Sequence, residues 1–340
     1  MTNNNFNFLR FYFAFVVVIG HLIGISKVEG FRQFAPFFNT YTSVTAFFCI
    51  SGFLITRSYL NSSSYINYLL KRAARLLPAY ILVVILSAVF LSFLSRYSFS
   101  DYYTHPQFTK YLIANLSFAN FVQPCLPGVF LRDGLTCDVN GALWTLKVEV
   151  SFYLTIPVLL FLIKKSNNKP LIFIIIYLFS VIYKNSFEYL TSITGNGIYS
   201  ILARQLPGFL SYFICGIALY YYFEFFLRNK KLFFIVGFVL FTFEQLIDME
   251  IFTPIALPLM VFAIAFSFSG LNTFAKYGDF SYGIYLFHCP IIKIAKDLDF
   301  FERYNPLIVA ITIILFVLFL GVISWHFIEK KFLLKLHKAK

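Results

Sequence analysis

Charge is what this sequence has least of. Only 13% of its 340 residues are Asp, Glu, Lys or Arg, whereas 59% are hydrophobic and 21% are aromatic. A soluble protein carries about 25% charged residues, so this composition excludes an ordinary soluble domain. The mean hydropathy is +0.77, and apolar runs recur at about the 20-residue length that a helix needs to cross a membrane. The sequence therefore predicts an all-α fold, a polytopic bundle of transmembrane helices.

Acidic residues are especially few. The chain has 15 Asp and Glu against 28 Lys and Arg, which gives a formal net charge of +13. Such an excess can indicate a nucleic-acid partner, but here the positive charges collect in short segments between apolar runs. That distribution is typical of loops at the cytoplasmic membrane surface. We therefore expect membrane lipids as partners, and no nucleic acid.

Three other features are missing. The N-terminal apolar run has no basic segment before it and no small-residue cleavage site after it, so we interpret it as a retained first span. The five cysteines show no metal-site spacing, and we expect no metal. There is no repeat, low-complexity tract or soluble appendage, which predicts a single membrane domain over residues 1–340.

Polar breaks divide the apolar sequence into about ten predicted spans. The loops on one side of this arrangement hold most of the Lys and Arg residues, so the positive-inside rule places both termini in the cytoplasm. The predicted spans are 7–25, 40–58, 77–95, 141–163, 170–187, 204–224, 231–247, 251–270, 280–297 and 305–327.

One long segment, about 96–140, falls on the extracytoplasmic side. It contains Cys125 and Cys137, which an oxidising compartment would allow to form a disulfide. Spacing alone does not give their geometry, so the pairing stays open at this point. The segment is either a solvated connection or one wall of a binding cleft for an extracytoplasmic partner. Loops of this length usually carry function, which favours the cleft.

Two ionisable residues interrupt the first apolar run. Arg10 and His21 are eleven positions apart, which on a helix is three turns plus about 20°, or about 16 Å along the axis. Both therefore project from nearly the same face. Ionisable side chains in the hydrocarbon layer cost several kcal/mol unless they are paired or hydrated, and this cost favours a functional role.

The predicted topology places three more polar side chains near the depth of His21, namely Glu149, Ser51 and His288. Each has a simpler explanation. His288 is then a core residue bonded to a backbone carbonyl, Glu149 is part of a structural ion pair, and Ser51 with Gly52 allows close helix approach. The functional interpretation is a histidine near a carboxylate, which is suited to taking a proton from a hydroxyl.

Two cytoplasmic arginines form a further candidate. Arg72 and Arg75 are three positions apart and share one face if the segment is helical. Arginine suits phosphates because its planar fork donates two hydrogen bonds at once, although topogenic charge with lipid headgroup contact explains the pair equally well. Together with the intramembrane residues, they indicate group transfer across the membrane, with a phosphorylated donor entering from the cytoplasm and an acceptor entering from outside.

Taken together, the motifs resemble the acyltransferase-3 family of membrane acyltransferases. Any one of them is weak, and the resemblance depends on their order and spacing from residue 10 to about 330. Lys331 stands where a proline is common in the family. The similar segments are Arg10-x10-His21, Phe47-Phe48 with Ser51-Gly52-Phe53-Leu54, Arg72-x-x-Arg75 followed by Pro78, Trp144-Thr145-Leu146 with Glu149, Ser281-Tyr282-x-Ile284-Tyr285-Leu286-x-His288-x-Pro290, and Ile328-Glu329-Lys330.

The resemblance implies an O-acetyltransferase of the bacterial inner membrane. Such an enzyme moves an acetyl group from cytoplasmic acetyl-CoA, its acyl donor, to a hydroxyl of an extracytoplasmic or lipid-linked glycan such as O-antigen or capsular polysaccharide. It implies that His21 is the catalytic histidine and Glu149 its partner. Some relatives carry an extra esterase-like domain, whereas this chain ends soon after the tenth predicted span, so we expect the membrane domain alone to serve the acceptor. The remaining site residues are Arg10, Arg72, Arg75, Ser51 and His288 for the donor, and Trp144, Tyr282 and Tyr285 for the acceptor.

Two other classes of function are open at this point. A transporter that exports an acylated or phosphorylated metabolite would also need intramembrane charges, but the sequence lacks paired broken helices in two matching halves. In a purely structural membrane protein, the buried polar groups would only bond helices together. The set of motifs favours the acyltransferase.

Overall fold

The computed structural model of the chain describes residues 4–247 and 249–338, and within them the regular structure is helical, without a β-strand. The all-α prediction is therefore confirmed. Short 3₁₀ turns connect several helices, and a π-helix, Ser324–Glu329, precedes the last one. The α-helices are α1 Phe6–Ser26, α2 Glu29–Arg32, α3 Thr40–Leu60, α4 Tyr65–Phe90, α5 Phe99–Thr104, α6 Pro106–Leu116, α7 Trp144–Lys165, α8 Lys169–Thr194, α9 Gly197–Ala203, α10 Leu206–Tyr221, α11 Phe223–Arg228, α12 Lys230–Glu244, α13 Thr253–Ala265, α14 Ser281–Asp297, α15 Phe300–Arg303, α16 Pro306–Ile323 and α17 Lys330–Lys338.

Seven helical segments in the described part of the chain are long and apolar enough to cross a membrane. This number supports a multi-pass membrane protein. The other three predicted spans coincide with α12, α13 and α14, which have 15, 13 and 17 residues. At 1.5 Å per residue these helices reach about 20–26 Å, less than the ~30 Å of a hydrocarbon core. The ten spans and the cytoplasmic termini stay predictions. The seven segments are Phe6–Ser26, Glu29–Leu60, Tyr65–Leu94, Gly141–Lys165, Lys169–Thr194, Gly197–Tyr221 and Pro306–Leu334.

The third predicted span, 77–95, differs most from the helix found there, α4. The prediction began at residue 77, whereas α4 begins at Tyr65. Its first turns carry Lys71, Arg72 and Arg75, which lower the hydropathy but not the helix propensity, because Lys, Arg, Ala and Leu all favour helices. Hydropathy therefore detects the apolar part of this helix and misses its charged beginning.

The helices group into two compact units. The first unit consists of Met1–Arg10, Val44–Leu69 and Val148–Lys276, and the second of Phe11–Ser43, Leu70–Lys147 and Tyr277–Lys340. The single domain expected from the sequence stays a prediction.

In the first unit, two glycines allow α3 and α10 to approach closely. A Cβ atom on Gly52 would overlap the carbonyl of Phe213, and one on Gly216 would overlap the carbonyl of Cys49. Membrane helices pack in this way through small residues, because lipid supplies no hydrophobic force between helices. The close approach that the sequence suggested for Gly52 is present, and it fixes the position of the neighbouring Ser51.

In the second unit, α14 is an interior helix. Eleven of its 17 residues are buried, and through Gly283 it packs on the end of α16 and the start of the π-helix that follows α16. A Cβ atom on Gly283 would lie 2.8 Å from Cβ of Ser324 and 2.9 Å from Cα of Gly321. This close packing holds one face of α14 in place along the part of the helix that precedes His288.

The long segment 96–140 is folded. It contains α5 and α6, and Cys125 and Cys137 form the disulfide that the sequence left open. An isolated antiparallel bridge also pairs Cys125 with Asp138. Disulfides persist in oxidising compartments, so this bond agrees with the predicted extracytoplasmic location of the segment.

Candidate active site

His21 and His288 meet in the second unit. Nδ1 of His21, on α1, lies 2.7 Å from Nε2 of His288, on α14. The ring planes are only 5° apart, but 2.7 Å is too short for rings stacked face to face, which would lie at the van der Waals separation of about 3.5 Å. The two rings are therefore nearly coplanar and joined edge to edge by one hydrogen bond. Sequence reasoning placed both histidines at one depth, but did not predict this bond.

The other nitrogen of His288 decides where the protons of the pair lie. Nδ1 of His288 is 2.7 Å from the carbonyl oxygen of Tyr285, which can only accept a hydrogen bond. Nδ1 therefore carries the hydrogen, and Nε2 of the neutral ring is an acceptor. Nδ1 of His21 must then donate to it, which leaves the lone pair of His21 on Nε2. This assignment follows from the hydrogen-bond partners, and it makes Nε2 of His21 the basic atom of the pair.

The two histidines differ in accessibility. His288 has no exposed surface, whereas His21 is only partly buried. His21 is therefore the histidine of the pair that keeps some accessible surface, and His288 is placed to orient it from the buried side. The contact of His288 with the donor, expected from the resemblance, stays a prediction.

A proline interrupts α14 two residues after His288. Pro290 has no N–H, so the carbonyl of Leu286, four residues earlier, loses its helical donor. Asn140 replaces that donor, because its Nδ2 donates to the Leu286 carbonyl at 2.8 Å in a buried position. Asn140, the residue just before the helical segment Gly141–Lys165, thus supplies the hydrogen bond that the helix carrying His288 lacks.

The predicted acceptor-binding residues lie in the same unit. The hydroxyl of Tyr285 donates to the carbonyl of Ala142 at 3.1 Å, and that of Tyr282 donates to the carbonyl of Leu76 at 2.9 Å. Both hydroxyls therefore join helices. Trp144 is the first residue of α7 and is partly buried. Acceptor binding by these three side chains stays a prediction.

Glu149 and Ser51 contact each other in the first unit. Oγ of Ser51 donates to Oε1 of Glu149 at 3.3 Å, and the hydroxyl of Tyr153 donates to the same oxygen at 2.6 Å. Two hydroxyl donors reduce the cost of holding a carboxylate in apolar surroundings. The shared depth predicted for the two residues agrees with this contact. The partnership of Glu149 with His21 and the donor-binding role of Ser51 stay predictions.

The structure distinguishes Arg72 from Arg75. Both lie on α4, so the predicted helical spacing is confirmed. Arg75 forms an ion pair with Asp279, whose side chain is only 7% exposed, and its guanidinium lies 5.8 Å from the ring centre of Trp325. Arg72 has no ion pair among the described residues, and its buried Nε has no hydrogen-bond partner there. Of the two arginines, Arg72 is therefore the one without an ion pair in the described part of the chain.

Arg10 lies on α1 with His21. The helix is continuous from Phe6 to Ser26, so the sequence-based estimate of about 16 Å between the two residues along one face applies. The arginine is partly buried. Donor binding by Arg10, Arg72 and Arg75 stays a prediction.

Sequence reasoning missed a buried lysine on α14. The side chain of Lys293 is 3% exposed, and its Nζ lies 2.9 Å from Oδ1 of Asp138. It also donates to the carbonyl of Thr136 at 3.0 Å, to its hydroxyl at 3.1 Å, and to the carbonyl of Asp138. The ring of Phe130 lies 5.7 Å away. A lysine within a predicted span, five positions after a histidine, was the available signal.

The disulfide-bonded segment also contacts the end of α14. Arg132 donates to the carbonyl of Asp297 at 2.8 Å and forms an ion pair with Asp299. The hydrogen bond from this guanidinium lowers the pKa of the Asp299 carboxyl, because it stabilises the charged form. The side chain of Arg132 is 37% exposed, so water screens this contact more than that of Lys293.

The first unit has a charged cluster of its own that the sequence did not reveal. Lys184, on α8, is buried and forms an ion pair with Glu250. The hydroxyl of Tyr212 donates to the same carboxylate at 2.6 Å, and Glu188 lies 3.8 Å from the ammonium group. These partners compensate the charge of the buried lysine.

A family model described as an acyltransferase domain matches residues 3–326, which include every predicted site residue. The chain belongs to the acyltransferase-3 family. It is therefore an acyltransferase, as the motifs predicted.

Two known proteins are similar to this acyltransferase. An O-acetyl transferase of Shigella phage Sf6 is 26% identical to it, and the alignment covers 97% of this chain and 96% of the phage protein. Nodulation protein 10 of Rhizobium leguminosarum bv. viciae is 33% identical over 46% of this chain and 44% of its own length. No solved structure matches.

Proposed function

We propose that this acyltransferase is an O-acetyltransferase of the bacterial inner membrane, with ten spans and both termini in the cytoplasm. It moves an acetyl group from cytoplasmic acetyl-CoA to a hydroxyl of an extracytoplasmic or lipid-linked glycan, such as O-antigen or capsular polysaccharide. The observation that carries this proposal is the hydrogen-bonded pair of His21 and His288 within a chain of this family. The full-length similarity to a phage O-acetyl transferase supports acetyl as the transferred group.

The pair supplies a general base. Nε2 of His21 takes the proton of the acceptor hydroxyl as the hydroxyl oxygen attacks the thioester carbonyl carbon. The carbon–sulfur bond then breaks, and the leaving CoA thiolate takes the proton from His21. His288 accepts the Nδ1–H of His21 throughout, and this bond strengthens while His21 is an imidazolium, because a charged donor makes the stronger hydrogen bond.

The cytoplasmic arginines hold the donor in this proposal. Arg72 has no ion pair among the described residues and binds the phosphates of CoA, since a planar fork matches phosphate oxygens. Arg75 is already paired with Asp279 and orients that part of α4. Arg10 and Ser51 bind further along the donor, and Glu149 assists the histidine.

Two routes lead from donor to acceptor. In the direct route, both substrates are bound when the acetyl group moves. In the other, His21 itself carries the acetyl group before the acceptor binds. The first gives ternary-complex kinetics and the second gives ping-pong kinetics with a burst. We favour the direct route, because no residue of the site is compelled to be a covalent carrier.

The central test measures acetyl transfer by the full-length protein in lipid nanodiscs, with radiolabelled acetyl-CoA and glycan from cells that lack the gene. His21→Ala should abolish transfer and leave insertion and thermal unfolding unchanged. His326→Ala is the matched control, because His326 is exposed on the π-helix and is not one of the predicted site residues, and it should keep the wild-type rate.

Three results would count against the proposal. Transfer at the wild-type rate by His21→Ala would show that His21 is not the general base. Ligand flux without thioester consumption would identify a transporter instead. Mass spectrometry of the surface glycan should show one acetyl group per repeat unit that disappears with the gene, and identical masses would exclude the proposed acceptor.

A further inference from the structure

The helix that carries His288 has a weak point beside it. Pro290 removes one helical hydrogen bond, and its ring crowds the carbonyl of Leu286, so helices kink or bend at such positions. The bond between His21 and His288 is short and nearly coplanar, and hydrogen bonds weaken steeply when their angle changes. Keeping that bond requires support for α14 on both sides of the proline.

The segment that includes Cys137 provides this support. Before the proline, Asn140 donates to the carbonyl of Leu286. After it, the ammonium group of Lys293 binds acceptors of Thr136 and Asp138, the two neighbours of Cys137. The disulfide to Cys125 attaches these acceptors covalently to the rest of the folded segment. Lys293, whose side chain is 3% exposed, is thus bound to a backbone segment that the disulfide restrains.

We propose that Lys293 is a positioning residue for acetyl transfer: by binding Thr136 and Asp138, it holds the proline-interrupted α14 in the geometry in which His288 accepts the hydrogen bond from His21. The inference rests on the proposed function, because it concerns the base of that reaction. Lys293 touches no substrate in this role. It acts through α14 and His288.

An electrostatic role for Lys293 makes a different prediction. A lysine that acted by its charge would be insensitive to the stiffness of α14, and the carboxylate of Asp138, 2.9 Å away, already offsets that charge. A lysine that supports the helix becomes less necessary when the helix is repaired. Replacing Pro290 with Ala restores the missing N–H donor and therefore separates the two roles.

The experiment compares full-length variants in nanodiscs. Lys293→Met should lower kcat about 100-fold, the effect of a misplacement of about 1 Å at a reacting group, while KM for acetyl-CoA stays within twofold. NMR of ¹⁵N-histidine-labelled protein should show the coupling across the His21–His288 bond in the wild type and its loss in the variant. The double variant Lys293→Met/Pro290→Ala should recover at least tenfold in kcat and regain the coupling.

The matched control removes the same charge one turn further along α14. Lys296 forms an ion pair with Glu302, whose side chain is 47% exposed, and Lys296→Met should keep the wild-type kcat and NMR signal. Lys293→Gln keeps two N–H donors and should give an intermediate kcat, which provides a readout if the methionine variant does not fold.

Several outcomes would overturn the inference. These are wild-type kcat in folded Lys293→Met, a lower kcat with the NMR coupling intact, or no recovery in the double variant. The proposed function fails separately, if the wild type does not consume acetyl-CoA. The NMR coupling is measured without substrate, so it still reports whether Lys293 positions His288 in that case.

Discussion

At the scale of single residues, the chemistry depends on the lone pair of His21. Nothing in His21 itself chooses between its two nitrogens. The choice is made two hydrogen bonds away, where the carbonyl of Tyr285 requires a hydrogen on Nδ1 of His288. The sequence alone could place two histidines at one depth, but the protonation pattern exists only once their rings touch.

The role of His288 as an acceptor can be tested by a pair of substitutions. His288→Leu removes the acceptor and should lower kcat at least 100-fold, since a positioned general base contributes about 10²–10⁴. His288→Gln places an amide oxygen near the former Nε2 and should retain about a tenth of the wild-type kcat. Steady-state kinetics at saturating acetyl-CoA measure both. Equal activity of the two variants would show that acceptance of the hydrogen bond is unimportant.

The two arginines of α4 should respond differently to alanine. Arg72→Ala should raise KM for acetyl-CoA about tenfold, the loss of one charge-assisted contact, with little change in unfolding temperature. Arg75→Ala takes the guanidinium away from the buried carboxylate of Asp279 and should cost on the order of 3 kcal/mol of stability. Kinetics and thermal unfolding of both variants distinguish the roles. The reverse pattern would exchange the two assignments.

At the scale of elements, α14 and the segment 136–145 form one functional assembly. Their contacts succeed one another along the helix, from Tyr285 with Ala142, through Leu286 with Asn140, to Lys293 with Asp138. His288 lies between the second and third of these. The length and apolar pattern of α14 were predictable from its sequence, but the contacts that hold it depend on a loop more than 140 positions away.

Asn140 should be needed for stability as well as activity. Asn140→Ala leaves the buried carbonyl of Leu286 without its donor, which should destabilise the fold by about 1–3 kcal/mol. Asn61→Ala is a suitable control, because Asn61 is exposed just after α3, and it should change stability by less than about 0.5 kcal/mol. Denaturation in mild detergent measures both. A neutral Asn140→Ala would mean that the Leu286 carbonyl finds another partner.

The disulfide should stabilise the second unit. Replacing Cys125 and Cys137 with Ser opens a cross-link between positions twelve residues apart, and the chain-entropy relation assigns about 3 kcal/mol to a loop of this size. The unfolding temperature should fall accordingly. A reducing agent should lower the wild type to the level of the variant and leave the variant unchanged. Sensitivity of the variant to reduction would assign the effect to another cysteine.

At the scale of the whole molecule, the number of membrane spans follows from whether the short helices cross the bilayer. Ten spans require α12, α13 and α14 to cross the membrane despite their 15, 13 and 17 residues. A short helix can do so where the bilayer thins or where neighbouring segments extend the crossing. The positive-inside argument then places Asn229 in the cytoplasm and Met249 outside.

Labelling of intact cells with a membrane-impermeant maleimide tests this arrangement. Met249→Cys should react from outside, since that side chain is 51% exposed, and Asn229→Cys should react only after the membrane is permeabilised. Both cysteines are introduced into a Cys215→Ser background, because Cys215 is free and partly exposed, whereas Cys49 and Cys289 are buried and Cys125 is in a disulfide. Reaction of both new cysteines from the same side would show that α12 does not cross.

Composition and spacing were sufficient to predict that the chain is an all-α membrane protein, that Arg10 and His21 share one helix, and that the chain belongs to its family. These are local properties, because a helix in lipid satisfies its own backbone hydrogen bonds and each span can be recognised from about 20 neighbouring residues. The contacts of the site are not local. His21 and His288 are 267 positions apart, and the positions of Lys293, Asp279 and Asn140 depend on which helices pack together. Side-chain packing between distant segments decided those contacts, and a linear sequence carries no distances from which to derive them.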